Sequence, residues 1–389
     1  MRSKLLYFSI AMIQISFIPT KIKAQSRSAQ SIINQRNVNI GQYEINTDEL
    51  EIFKVEMGFG SADILEQLKD FQVVGQTIHH IDLVYSDYPK GANLKALNLN
   101  RIKEIEKFFP VLVENPLIKW RIIRQTACQS EVEARSFFHG VVVYYEATSS
   151  PEFLKEVSVN LDKYLPIEPS KIVAQKIFDT MRKPTVNTVL SRQKNWSNAV
   201  FIVDLTSSMI PYNSQIALWQ LLNTENGLIK EIVMFNDGDS APIEAKTPGK
   251  TGGIYHLKSI NYKAISNESR KVCNNGLGNN DSPENDLEAV LFAIEKNPNA
   301  SEYILVADND APPRDMELLD KIYRPIRIIL CDTDKGILPE YLEIARKTGG
   351  TVHTLKEDIV DLIKKKEGET IVAGGRKYKV HKGMIVQMR

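Results

Sequence analysis

The clearest pattern in the chain is a set of short apolar runs, each ending at an aspartate. Ala199 to Val203 ends at Asp204, Tyr303 to Ala307 at Asp308, and Ile326 to Cys331 at Asp332. Apolar runs of this length bounded by polar loops predict central strands of a parallel sheet covered on both faces. Between them, Leu287, Val290, Leu291 and Ile294 recur at helical spacing, and Asp315 to Ile322 is a short helix candidate. Tyr341 to Lys347 and Asp358 to Lys366 are the next predicted helices, separated by Gly349-Gly350 and a strand at Thr351 to Leu355. The alternation predicts a doubly wound, mostly parallel α/β sheet, Rossmann-like, over residues 196–366.

Upstream the pattern is weaker. Over residues 48–150 strands are expected at Ile81 to Tyr85, Trp120 to Ile123 and Val141 to Tyr145, with helices through Ile102, Ile105 and Phe109 and over Glu131 to Phe138. This predicts a smaller βαβαβ module. Its alternation is similar to that of OmpA-type peptidoglycan-binding domains, but no ligand residues carry over. Residues 151–195 read as a helical linker, with Pro184 to Ser197 a polar connection. Residues 25–47, rich in Ser, Gln and Asn, read as a flexible leader. Residues 367–389 read as a terminal β-hairpin tail around Gly374-Gly375.

Composition narrows the function classes. In 389 residues, Lys+Arg 49 against Asp+Glu 48 gives a net charge of +1, which supplies no field to hold a polyanion, so a nucleic-acid partner is not expected. Three cysteines exclude a disulfide scaffold or a Cys-rich zinc module. Arg2 and Lys4 followed by the mostly apolar Leu5 to Ile18 have the shape of a signal peptide over residues 1–24, too short for a spanning helix. Its removal takes four basic residues and no acid, turning +1 into −3. The expectation is an exported protein, periplasmic or extracellular, with no integral membrane segment after cleavage.

The candidate chemistry lies at the strand ends. In open parallel sheets, ligands bind beyond the carboxyl ends of the strands. Asp204 is followed by Thr206 and Ser208, and Asp308 closes a second strand. Two carboxylates with hydroxyls on converging loops form an all-oxygen set, suited to a hard divalent cation: Mg²⁺, or Ca²⁺ or Mn²⁺ in a looser version. Asp204 to Ser208 could also be a plain helix N-cap, a reading that Asp308 weighs against. No glycine-rich turn for a phosphate is present here. Asn236-Asp237-Gly238-Asp239 is read as a turn, because the downstream Glu of a calcium loop is missing.

Asp204-Leu205-Thr206-Ser207-Ser208 resembles the Asp-x-Ser/Thr-x-Ser signature of the von Willebrand factor type A (vWA) domain and its metal-ion-dependent adhesion site. The strand ending in Asp308 is similar to that family's second carboxylate strand. The turn at Phe235 to Gly238, leading to Gly253-Ile254-Tyr255, is similar to its antiparallel edge hairpin. The resemblance covers residues 196–366. It implies that Asp204, Thr206 and Ser208 hold the metal and that Asp308 acts directly or through water. The family's further ligand, usually threonine, has no counterpart: residues 279–284 offer Asp281 or Ser282. The implied role is a non-enzymatic module that binds a protein partner through the metal and an acidic residue of that partner. Two alternatives stand beside it. One is a Mg²⁺-dependent aspartyl phosphohydrolase of the haloacid dehalogenase type, which lacks its second acid because Thr206 occupies that position. The other is an envelope scaffold with a vestigial metal site.

Overall fold

A computed structural model describes residues 26–45, 50–65, 68, 71–277 and 284–388. The chain is mixed α/β, with mostly parallel pairing in its largest sheet.

The N-terminal unit is built on β1 (Asn37–Ile40), β2 (Glu51–Glu56), β3 (Gln76–Ser86), β4 (Lys119–Gln125) and β5 (Gly140–Ala147), in the order β1-β4-β3-β5-β2. The pairs β1–β4 and β4–β3 are parallel, whereas β5 runs antiparallel to both β3 and β2. Helices α1 (Ala29–Ile33), α2 (Lys95–Phe108), α3 (Pro110–Glu114) and α4 (Glu131–Ser136) accompany them. The start of α4 is fixed by a capping box between Ser130 and Glu133. The expected strands and helices of this unit are present. The leader over 25–47 is corrected: residues 26–45 contribute α1 and the edge strand β1. The Arg27 side chain anchors them by donating to the carbonyls of Val113 (2.9 Å), Ile118 (2.6 Å) and Leu112 (3.1 Å).

Helices α5 (Pro151–Tyr164), α6 (Lys171–Thr180) and α7 (Thr185–Arg192) follow. The polar connection expected at 184–197 is therefore largely helical, because Val186, Val189 and Leu190 form a buried stripe within it.

The large sheet contains β6 (Ala199–Asp204), β7 (Ile229–Phe235), β8 (Ile254–Leu257), β9 (Glu302–Ala307), β10 (Ile326–Leu330), β11 (Thr351–His353) and β12 (Asp358–Ile359). Its order is β12-β11-β10-β9-β6-β7-β8, with only the two edge strands antiparallel to their neighbours. Every residue of β6 is buried, and alternate residues enter different cores. Val200 and Ile202 pack with α10 (Asp286–Lys296) and α11 (Pro339–Thr348), while Phe201 and Val203 pack with α5 to α7, α8 (Ile210–Leu222) and α9 (Tyr262–Gly276). Burial on both faces is the reason these strands read as continuous apolar runs.

Two expectations near the C-terminus are corrected. Residues 358–366 form β12 and one 3₁₀ turn, not a helix, because Asp361 adopts φ 59°. Residues 367–388 form β13 (Thr370–Ala373), β14 (Arg376–His381) and β15 (Met384–Gln387), an antiparallel three-stranded sheet and not a hairpin tail. Its Ile371, Tyr378, Val380 and Ile385 lie in the same core as α10 and α11.

Among the described residues no helix is long and apolar enough to cross a membrane. Cys128, Cys273 and Cys331 are all buried and unpaired.

Candidate functional site

From β6 the chain proceeds to β7 on one side, while β9 lies on the other. The loops leaving β6 and β9 therefore diverge at the carboxyl ends of two neighbouring strands, which opens a crevice between them. The loop after β6 turns directly into a 3₁₀ turn (Ser207–Met209) and then α8, bringing its hydroxyls back over the strand end.

Asp204 is fully buried. Its Oδ1 accepts the Thr206 backbone N–H at 2.8 Å. Its Oδ2 is buried with no hydrogen-bond partner. Thr206 Oγ1 and Ser208 Oγ lie 3.1 Å apart, and Ser208 Oγ donates to Asp308 Oδ2 at 2.6 Å. Asp308 Oδ1 accepts the Asp310 N–H at 3.0 Å. The structure thus brings Asp204, Thr206, Ser208 and Asp308 to one place and links the last three side chains in series. Asp281 and Ser282 lie outside the described residues. Asp332 lies two residues beyond β10, paired with Lys183, and its charge adds to the upward shift of Asp308.

The site holds more acid than the sequence reading assigned to it. Asp237, Glu284 and Asp286 are also buried. Asp237 and Glu284 line, together with Thr206, Ser208 and Asp308, a cavity of about 260 Å³. Burial, then the charges of Asp308 and Asp237, hold the Asp204 carboxyl well above the usual carboxylate range. Burial followed by Asp204 does the same to Glu284 and Asp286. Burial also raises Asp308. Arg314 approaches Asp237 at 3.6 Å, and the Tyr341 hydroxyl donates to Asp286 at 3.3 Å. Among the described residues, no group of three or more His, Cys, Asp or Glu side chains is spaced to share a metal ion. A set drawn from Asp204, Thr206, Ser208 and Asp308 contains two carboxylates and completes its donors with hydroxyls.

The loop after β7 is fixed by Asn236. Its Nδ2 donates to Asp239 Oδ1 (2.9 Å) and to the Val272 carbonyl (2.8 Å), while its Oδ1 accepts the Asp239 N–H (2.8 Å). Gly253, at φ 65°, packs so closely that a Cβ there would sit 2.1 Å from Asn236 Oδ1. On the other side, Asp315 accepts the N–H groups of Leu287 (3.2 Å) and Glu288 (2.6 Å), capping α10 and setting the position of Asp286. The 236–239 segment is a turn, as expected, and it also carries Asp237 into the site. The signal was the Asn-Asp pair directly after a buried strand. Glu284 ends the same segment, 279–284, in which the sequence offers Asp281 or Ser282 as a ligand.

No protein-family model matches the chain, and no curated protein or solved structure matches it either.

Proposed function

We propose that residues 196–366 form a doubly wound, vWA-type domain that binds a divalent cation, Mg²⁺ with Mn²⁺ or Ca²⁺ as substitutes, and that the chain is an exported binding module for a protein partner. The observation that carries this reading is Asp204 Oδ2, a buried carboxylate oxygen without a partner, on a side chain whose other oxygen accepts the Thr206 N–H and which feels the charge of Asp308. A buried, unpaired carboxylate oxygen is costly, and coordination to a cation removes that cost. Further support comes from the strand order, with β6 central and an antiparallel edge strand β8. Asp204, Thr206, Ser208 and Asp308 would hold the ion, with Asp281 or Ser282 as the further ligand. The bound cation would supply a Lewis-acidic position for a carboxylate of the partner. Binding is favoured over catalysis because Thr206 cannot act as a general acid or base near neutral pH.

Calorimetric titration of the full chain with Mn²⁺ tests the reading. The expected result is one ion per chain, with binding abolished in Asp204→Ala. Absence of binding by the unsubstituted chain, or undiminished binding in the variant, overturns it.

A further inference from the structure

The cavity over the candidate site is walled largely by acid. Asp237, Glu284, Asp308 and Asp310 all line it, and among the described residues no Lys, Arg or His does. A divalent ion held by Asp204, Thr206, Ser208 and Asp308 leaves Asp237, Glu284 and Asp310 without a counter-charge from that ion. Glu284 is 6% exposed, and its Oε2 is buried with no hydrogen-bond partner. Asp237 is also buried, with Arg314 at 3.6 Å from its Oδ1. Asp310 is exposed, and its N–H donates to Asp308 Oδ1 at 3.0 Å, which holds it at the rim. A buried carboxyl oxygen that meets no donor is costly, and a positive charge beside it removes that cost.

The rest of the lining favours an organic cation over a second metal ion. Among the described residues no three acidic, His or Cys side chains are spaced to share a metal. Phe153, from α5, lines the same cavity. Val157 and Leu161 follow it by four and eight positions on one helix face and are each 3% exposed, yet Phe153 is 39% exposed. The ring therefore continues a buried stripe to the point where the core ends, and the buried Leu277 extends this apolar flank. An alkyl stem with a charged head fits such a lining: carbon lies along Phe153 and Leu277, and the head meets the carboxyl groups. An aromatic ring also attracts a cation within about 6 Å of it. At about 260 Å³ the space falls below the usual range for whole small-molecule ligands and suits one long side chain.

We propose that this cavity receives a basic side chain, lysine or arginine, of a protein partner, beside the ion and not on its ligands. Glu284, Asp237 and Asp310 meet its charge, and Phe153 covers its stem.

Saturation-transfer NMR on the full chain tests this with the Nα-acetyl methylamides of lysine, arginine and norleucine. Each is titrated in EDTA and in saturating Mg²⁺, and Mn²⁺ affinity is measured separately by calorimetry. A basic probe is expected to bind at millimolar concentration in both conditions, and norleucine is not. Binding of the arginine probe alone supports the inference equally and identifies a guanidinium. Glu284→Gln should weaken the basic probe about tenfold, the effect of one opposite charge at close range. Asp310→Asn should weaken it about threefold, and its exposed position keeps the test intact if Glu284→Gln fails to fold. Phe153→Ala should also cost about threefold and leave Mn²⁺ affinity unchanged. Absence of binding by both basic probes, equal binding of norleucine, or unchanged affinity in all three variants overturns the inference. So does loss of the basic probe in saturating Mg²⁺, because the probe would then have occupied the ion's own ligands. Failure of Mn²⁺ to bind overturns the metal reading alone, since Asp237, Glu284 and Asp310 are not among the four side chains assigned to the ion.

Discussion

Replacing Asp204 by Asn should change stability in opposite directions depending on whether a cation is present. Without the cation, Asp204 is fully buried, its Oδ2 lacks a partner, and Asp308, Asp237 and Asp286 surround it. Asn keeps the shape and the oxygen that accepts from Thr206, and it removes one charge from a cluster of like charges. At an effective dielectric constant of about 20, a like charge about 6 Å away costs about 3 kcal/mol. Part of that cost is already relieved by proton uptake, so a stabilisation of about 1–3 kcal/mol is expected. At about 2–4 °C per kcal/mol, Asp204→Asn should melt about 2–12 °C above the unsubstituted chain in EDTA. With Mn²⁺ at a hundredfold its Kd, the unsubstituted chain gains about 2.7 kcal/mol and the variant gains nothing, which closes or reverses the gap. Scanning calorimetry of both proteins in EDTA and in Mn²⁺ gives the four melting temperatures. A variant that melts lower in EDTA would refute the argument, because the carboxylate would then be stabilised by contacts within the protein. Equal Mn²⁺ shifts in both proteins would refute it as well.

Three further substitutions test other parts of the structure. Burial pushes the Asp315 carboxyl up to about 7, against the opposing effect of the Glu288 and Leu287 N–H groups. With an unfolded value near 4, its contribution is fully present below about pH 4 and declines by about 1.4 kcal/mol per pH unit as pH rises to about 7. Urea unfolding at pH 5.5 and 7.5 should therefore show a smaller fall for Asp315→Asn than for the unsubstituted chain; equal falls would refute the assignment. The Tyr378 hydroxyl donates to the Ile337 carbonyl at 2.7 Å and accepts its N–H at 2.8 Å. Tyr378→Phe should cost about 2–4 kcal/mol in urea unfolding by stranding both buried groups, whereas a negligible loss would mean that the C-terminal sheet is not part of the core. Asn236→Ala removes three buried hydrogen bonds and should cost about 2–4 kcal/mol in thermal melts, with weaker Mn²⁺ binding because the loop that carries Asp237 loosens.

Much of the large sheet was legible because a strand buried on both faces has no choice but a continuous apolar run. Asp204 and Asp308 were legible for the same reason, since each interrupts such a run where the strand leaves the core. Other features depend on contacts distant in sequence. Residues 26–45 carry few apolar side chains; Ile32 and Ile33 enter the N-terminal core, β1 pairs with β4, and Arg27 reaches the carbonyls around residue 115. The helix expected at 358–366 has suitable periodicity and fails at one backbone position, Asp361. Asp237, Glu284 and Asp286 are separated by up to 49 positions, and although Asp237 directly follows a buried strand, nothing in the sequence places the three beside one another. Their convergence follows from the cap that Asp315 places on α10 and from the turn that Asn236 holds.

The N-terminal unit takes part in that convergence. The Asn115 side chain donates to the Gly238 carbonyl at 3.1 Å, and the Ile78 N–H donates to the Ser240 carbonyl at 2.8 Å. Ser149 holds the Leu277 carbonyl. These bonds fall on two loops that flank the candidate site, one carrying Asp237 and the other leading towards Glu284. Asp237 and Glu284 each raise the Asp204 carboxyl or are raised by it, so the position of those loops affects the charge at the centre of the site. A unit that braces both loops therefore sets the electrostatics of a site whose acidic side chains lie outside it, with Ser149, just past β5, and Phe153 of α5 lining the same cavity. Residues 196–366 supply the four oxygen-bearing side chains, but their geometry depends on residues 78, 115 and 149. Severing those three contacts would loosen the acidic half of the site first, because that half is made of loops, whereas Asp204 and Asp308 are fixed by the sheet.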